Sequence, residues 1–243
     1  MGYLSPWLQT ATTRAGQCFA CAACCSFASL TPTPVDTTNY AKFQTSNPVV
    51  RKLIDGFYGH IRELIAARRP GSLLDAGCGE GETLLRISDL LSGEIAGVDL
   101  NPDSVEFARE RVPTADLSVG DITALPFEDG QFETVLCLEV LEHLTDPAAA
   151  IDELSRVCSR DLVISVPYEP WFRLGSLARG KYLRGWGNHP EHINHWNPSS
   201  IREILPESKV ETVQIIKSMP WLIVHCRPAD SAGGPAQSQE PRS

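Results

Sequence analysis

The sequence predicts a doubly wound α/β fold, with a parallel sheet of seven strands between helices on both faces. Three observations predict it. Short apolar runs alternate with stretches of helical periodicity from residue 48 to residue 227. Several runs end on an acid or a glycine turn, as strand tips do in such sheets. A chain of 243 residues fits one α/β unit of this kind plus tails.

Each element has its own signal. Pro48 opens the first helix, where Val49, Leu53, Phe57, Ile61 and Leu64/Ile65 recur at helical spacing, and Pro70 ends it. The first strand is 72–76. A helix over 81–91 follows, apolar at Leu84, Leu85, Ile87, Leu90 and Leu91. The second strand is 94–99. Pro102, behind Asn101, starts a helix that runs to Arg111. The third and fourth strands are 115–119 and 132–138. Asp146-Pro147 opens a helix built on Ala150, Ile151, Leu154 and Val157. The fifth strand is 161–166. Asn197 caps a helix from Pro198, and the last strands are 209–216 and 221–227. Strands alternating with helices imply right-handed crossovers. Asp75, Asp99, Asp121 and Glu139 then fall at successive strand tips, so one cleft collects them.

The flanks differ. Residues 1–38 hold a single charge, Arg14, before Asp36. Three readings compete there: a disordered extension, a targeting segment over Cys18–Leu30, or a metal or lipid site on Cys18, Cys21, Cys24 and Cys25. The domain is 39–227, with an insert over 168–197. The Pro-, Gly- and Ser-rich tail 228–243 is expected to be disordered.

A net charge of −9 argues against broad nucleic-acid affinity, which needs a basic face. Cys78, Cys137, Cys158 and Cys226 fall in the core region, where free thiols suit a reducing compartment such as the cytoplasm. No apolar run approaches the eighteen or so residues of a membrane span.

Residues 73–81 read Leu-Leu-Asp-Ala-Gly-Cys-Gly-Glu-Gly, a strand, a tight turn and a helix start. The dinucleotide fingerprint G-x-G-x-x-G needs a third glycine at position 82, which is Glu82. Asp75 and Glu80 would repel a pyrophosphate, whereas a ligand carrying cations and no phosphate would be favoured. Asp99 can take both hydroxyls of a ribose. Asp121 can accept an adenine amine, with Ile122 covering the ring.

Four segments, Asp75–Gly81, Gly97–Asn101, Gly120–Ile122 and Pro126–Phe132, resemble in order and spacing those of the class I S-adenosylmethionine-dependent methyltransferases. The likeness covers roughly residues 48–227. It implies a Rossmann-like seven-stranded sheet with one antiparallel strand, and a cofactor held by Asp75, Gly77, Gly79, Gly81, Asp99, Leu100, Asp121 and Ile122.

Catalysis is expected around Glu139-x-x-Glu142-His143. Were the chain helical after the fourth strand, these three side chains would share one face. That makes a half-site for a hard cation such as Mg²⁺. This run resembles that of the ubiquinone-biosynthesis O-methyltransferases and the small-RNA 2′-O-methyltransferases, in which a later histidine completes a metal site. His192 matches that histidine best, with His189 or His195 as substitutes. Three roles stay open: metal ligands Glu139, Glu142, His143 and His192; His192 as a metal-free general base; or purely structural side chains. Residues 171–186 carry four cations and no acid along an apolar stripe. They read as a lid for an anionic or amphipathic acceptor, with membrane-peripheral contact, or as an ordinary covering helix.

The expected function is S-adenosylmethionine-dependent methylation of a small or lipid-linked acceptor at oxygen. The alternatives are a non-catalytic S-adenosylmethionine-binding regulatory protein and an RNA 2′-O-methyltransferase.

Overall fold

Asn47 starts the first helix by accepting hydrogen bonds from the amides of Val49 and Val50 at 2.9 and 3.4 Å. The computed structural model describes residue 43 and residues 45–168, 193–207 and 209–229. The readings of residues 1–38, of the 171–186 lid and of the far C-terminal tail fall outside these. In α1 (Pro48–Arg68) the buried face is Ile54, Phe57, Tyr58, Ile61, Leu64 and Ile65, an unbroken helical stripe. Val49 and Leu53, expected on it, are exposed instead. The stripe runs one residue out of phase with the sequence reading over its first turns.

β1 (Ser72–Ala76), β2 (Glu94–Asp99), β3 (Asp116–Val119), β4 (Phe132–Leu138), β5 (Cys158–Pro167), β6 (Val210–Ser218) and β7 (Trp221–Pro228) form one sheet in the order β3-β2-β1-β4-β5-β7-β6. All run parallel except β7, which is antiparallel to both β5 and β6. The expected mixed Rossmann-like sheet is therefore the fold found. The helix expected over 81–91 is shorter: α2 (Glu82–Ile87) passes into a 3₁₀ turn at Ser88–Leu90. The Ser88 hydroxyl donates to the Leu85 carbonyl there, competing with the helical ladder. α3 (Pro102–Arg111), α4 (Pro147–Val157) and α5 (Pro198–Ile204) begin where their prolines predict.

Strand alternation divides the core in two. One face packs Leu73, Leu136, Val163 and Ile223 under α1, α2 and α3. The other packs Leu74, Val135, Ile164 and Val224 under α4 and α5. Helices thus cover both faces, and the strand order reverses between β1 and β4. A cleft opens at the carboxyl ends of strands at such a switch.

At the opposite end of the sheet lies a buried polar network. Asp161, near the start of β5, receives His225 Nε2 at 2.6 Å, Arg68 Nε at 2.9 Å and Arg160 Nε at 3.0 Å. Burial alone would raise the Asp161 pKa. The hydrogen bonds from His225, Arg68 and Arg160 outweigh it and hold the carboxyl well below the usual range.

Candidate functional site

The loop joining β1 to α2 is built on positive backbone angles. Gly77, Gly79 and Gly81 hold φ of 86°, 48° and 74°. Their amides are already spoken for. Gly77 and Cys78 both donate to the Val98 carbonyl, Gly81 donates to the Cys78 carbonyl, and Gly79 donates to Asp99 Oδ2 at 2.8 Å. A loop with these amides committed offers little to a pyrophosphate, which needs N–H donors. At Gly77 a Cβ would come within 2.3 Å of Val140 Cγ2, whereas at Gly79 it would meet none of the described residues. The loop is therefore pinned against the chain after β4 and open at its tip. Arg111 secures its far side by donating to the Glu80 carbonyl at 2.6 Å.

Asp75, the penultimate residue of β1, lies beneath this loop. It is 1% exposed, and its Oδ2 has no hydrogen-bond partner among the described residues. Burial, and then the neighbouring Asp99 charge, push its pKa up to about 7. An unsatisfied buried carboxylate oxygen is costly and calls for a donor, and a cationic one relieves both problems. The sign of the pH effect follows. A ligand ammonium favours ionised Asp75, so below pH 7 binding must expel a proton. Affinity for S-adenosylmethionine is expected to rise from pH 5 to pH 7 and then level off. Calorimetry in buffers of differing ionisation enthalpy reads both the affinity and the released proton. A pH-independent affinity would contradict this role.

The remaining expected cofactor residues fall along neighbouring tips. Asp99 ends β2 and accepts Asn101 N–H on Oδ1 and Gly79 N–H on Oδ2, leaving lone pairs on both oxygens. Leu100 follows, 73% exposed, an apolar surface beside the tip. Asp121 is exposed after β3. The amide and hydroxyl of Thr123 both donate to its Oδ1 and hold its pKa below the usual range. Ile122 is buried in the core under α4 and α5, so little of it is left to cover a ring.

Beyond β4 the structure departs from the sequence reading. Glu139 is not helical: its φ is 60°, and the turn that follows, Leu141–His143, is a single 3₁₀ turn. The premise of one shared helical face therefore fails for Glu139. Its Oε1 accepts the Ser165 hydroxyl at 2.9 Å. Glu142 is buried, with Oε1 3.9 Å from Nε2 of the half-exposed His143. Among the described residues no group of three His, Cys, Asp or Glu side chains is placed to hold a metal. The expected half-site of Glu139, Glu142 and His143 is thus not assembled there. His192 and His189 lie outside the described residues, and His195 is exposed.

Sequence reasoning missed Asn194. Its Nδ2 donates to the carbonyls of Leu141 and Leu144 at 3.1 and 2.7 Å, and the amides of Ile193 and Asn194 donate to Glu142 O. The segment returning from the insert is thereby stapled to the turn after β4. No local pattern announces these bonds, which join residues about fifty positions apart. A separate cleft of about 390 Å³ beside Phe43, Arg51 and Arg86 includes none of the strand-tip acids.

Residues 74–164 match the family model described as a methyltransferase domain. The chain is 30% identical over 105 residues to ajmaline N-methyltransferase of Rauvolfia serpentina, covering 41% of this chain and 36% of that protein. It is 27% identical over 153 residues to chloroplastic tocopherol O-methyltransferase of Arabidopsis thaliana, covering 54% of this chain and 44% of that protein. The matches cover between 28% and 51% of the length of these and similar curated relatives. In fold, the chain is similar to magnesium protoporphyrin IX methyltransferase of Synechocystis PCC 6803 solved with bound SAH. The TM-score is 0.60 at 18% identity, over 79% of this chain and 95% of that one.

Proposed function

We propose that this chain, whose residues 74–164 match a methyltransferase domain, is a class I S-adenosylmethionine-dependent methyltransferase that transfers a methyl group to a small-molecule acceptor at oxygen. The observation that carries the reading is the unsatisfied, buried Asp75 Oδ2 beneath a loop whose amides are committed. That chemistry suits a donor bearing an ammonium and a sulfonium and no phosphate. Asp75 would receive the ammonium, Asp99 the ribose hydroxyls and Asp121 the adenine amine, with Leu100 against the ring. The bound donor supplies a methyl group on a sulfonium, already a good leaving group. The chain's own task is to align the acceptor, exclude water and take a proton.

An oxygen acceptor needs a base. His143 stands half-exposed just after β4, its Nε2 3.9 Å from Oε1 of the buried Glu142, and is the first candidate. His192 is the second candidate. The imidazole would take the acceptor's proton, leaving the acceptor oxygen free to receive the methyl group that the bound donor would supply. The relatives named above act at nitrogen and at oxygen, so the family alone does not fix the atom. Among the described residues no helix is long and apolar enough to cross a membrane. Action in the cytoplasm, on soluble or lipid-linked acceptors, is part of this proposal.

Methyl-labelled S-adenosylmethionine, offered with a panel of phenolic, carboxylic and amine acceptors, tests the function. Label is expected on oxygen acceptors, and turnover is expected to persist in EDTA, because the described residues do not assemble the Mg²⁺ half-site. Turnover lost in EDTA and restored by Mg²⁺ would replace the imidazole base with a metal. Transfer to no member of the panel, with binding intact, would favour the regulatory alternative. Asp99→Ala should weaken S-adenosylmethionine binding by about 1–3 kcal/mol, the scale of lost hydrogen bonds to a charged group. Unchanged affinity by calorimetry would remove Asp99 from the ribose.

A further inference from the structure

Ser165 is fully buried within the apolar stretch Leu162–Val166 of β5, where a polar side chain needs a reason. Its neighbour in the sheet is Leu138, the last residue of β4, so it faces the point where the chain leaves the strand. Both of its side-chain hydrogen bonds among the described residues go to Glu139. Its hydroxyl accepts the Glu139 amide at 3.1 Å and donates to Glu139 Oε1 at 2.9 Å. The Ser165 carbonyl takes the same amide at 3.1 Å. Glu139 meanwhile sits at φ 60°, a region that costs a residue with a Cβ and persists only where its surroundings hold it. One hydroxyl therefore fixes both the backbone and the carboxylate of Glu139.

We propose that Ser165 is a positioning residue that holds the Glu139 carboxylate at the β4 tip, where it reads the positive charge of the methyl donor. The inference rests on the cofactor reading above. Methyl transfer turns a cationic sulfonium into a neutral thioether. A carboxylate fixed near the sulfur attracts the donor and has no such hold on the product, so it favours exchange of one for the other after each turnover. A mobile carboxylate would be screened by water and would discriminate less. A hydroxyl serving only to satisfy buried backbone would affect stability without touching this discrimination.

Calorimetric titration of the full chain with S-adenosylmethionine and with S-adenosylhomocysteine tests this without a known acceptor. The readout is the ratio of the two dissociation constants, product over donor. Ser165→Ala is expected to lower that ratio about fivefold, roughly the worth of one hydrogen bond. Ser165→Thr, which keeps the hydroxyl, should restore it. Glu139→Gln should lower it at least as far, and adding Ser165→Ala to Glu139→Gln should change nothing more. Ser165→Cys, close in volume and a weak donor, carries the same expectation should the alanine variant fold poorly. A ratio unchanged in both Ser165→Ala and Ser165→Cys, or lowered equally with and without Glu139, would overturn the proposal. A ratio indifferent to Glu139→Gln would overturn it too. Failure of the wild-type chain to bind either ligand would instead overturn the cofactor reading, and this inference with it.

Discussion

Gly77→Ala is expected to abolish measurable S-adenosylmethionine binding and to destabilise the fold by about 2–4 kcal/mol. Two costs add. A residue with a Cβ at φ 86° carries backbone strain. The new Cβ would also lie 2.3 Å from Cγ2 of Val140, whose β-branched side chain is too stiff to swing aside. Relief can come only by moving the loop or the chain after β4. The first displaces Gly79 from Asp99, and the second displaces Glu139 and the turn behind it. Either disassembles the cleft. Urea unfolding and calorimetry read the two effects. Adding Val140→Ala should return part of the stability by removing the overlap, and leave the strain. Wild-type affinity in Gly77→Ala would contradict the loop's role.

Asp161→Ala is expected to cost about 3–5 kcal/mol, the scale of removing one partner from a buried charged network. Asp161 is 3% exposed and takes hydrogen bonds from His225, Arg68 and Arg160, so its loss strands the buried His225 and the Arg68 guanidinium at the end of α1. The pH dependence has a fixed sign. A carboxyl held below its unfolded pKa stabilises at neutral pH and loses that contribution as pH falls through the folded value. Wild type should therefore lose stability on acidification more steeply than Asp161→Ala. The network lies at the far end of the sheet from the strand-tip acids. Asp161→Ala that remains folded in the cold should keep wild-type affinity for S-adenosylmethionine, whereas lost affinity would tie the two ends together.

The sheet was legible because its signals are local. Apolar runs, the prolines at 48, 102, 147 and 198, and the Asn and Asp residues ahead of them mark elements within a few residues. Asp75 and the glycine loop were legible for the same reason. What the sequence hid depends on distant partners. Ser165 reads as one more residue of a buried strand until β4 is laid beside it. Asn194 and Arg111 look like loop and helix-surface residues until their bonds to the Leu141–Leu144 turn and to Glu80 O are seen. His225 and Asp161 sit in strands whose meeting across β5 and β7 no periodicity foretells. The run Glu139–His143 misled because its spacing suits a helix, while the left-handed Glu139 and a single 3₁₀ turn break the face.

A crystal structure of the chain grown with S-adenosylhomocysteine bears most directly on whether the strand-tip acids form a nucleoside-donor cleft. The amino group is expected on Asp75 Oδ2, the ribose on Asp99 and the adenine beside Leu100 and Asp121. Ligand density away from the tips of β1 and β2, with Asp75 Oδ2 still unsatisfied, would contradict it.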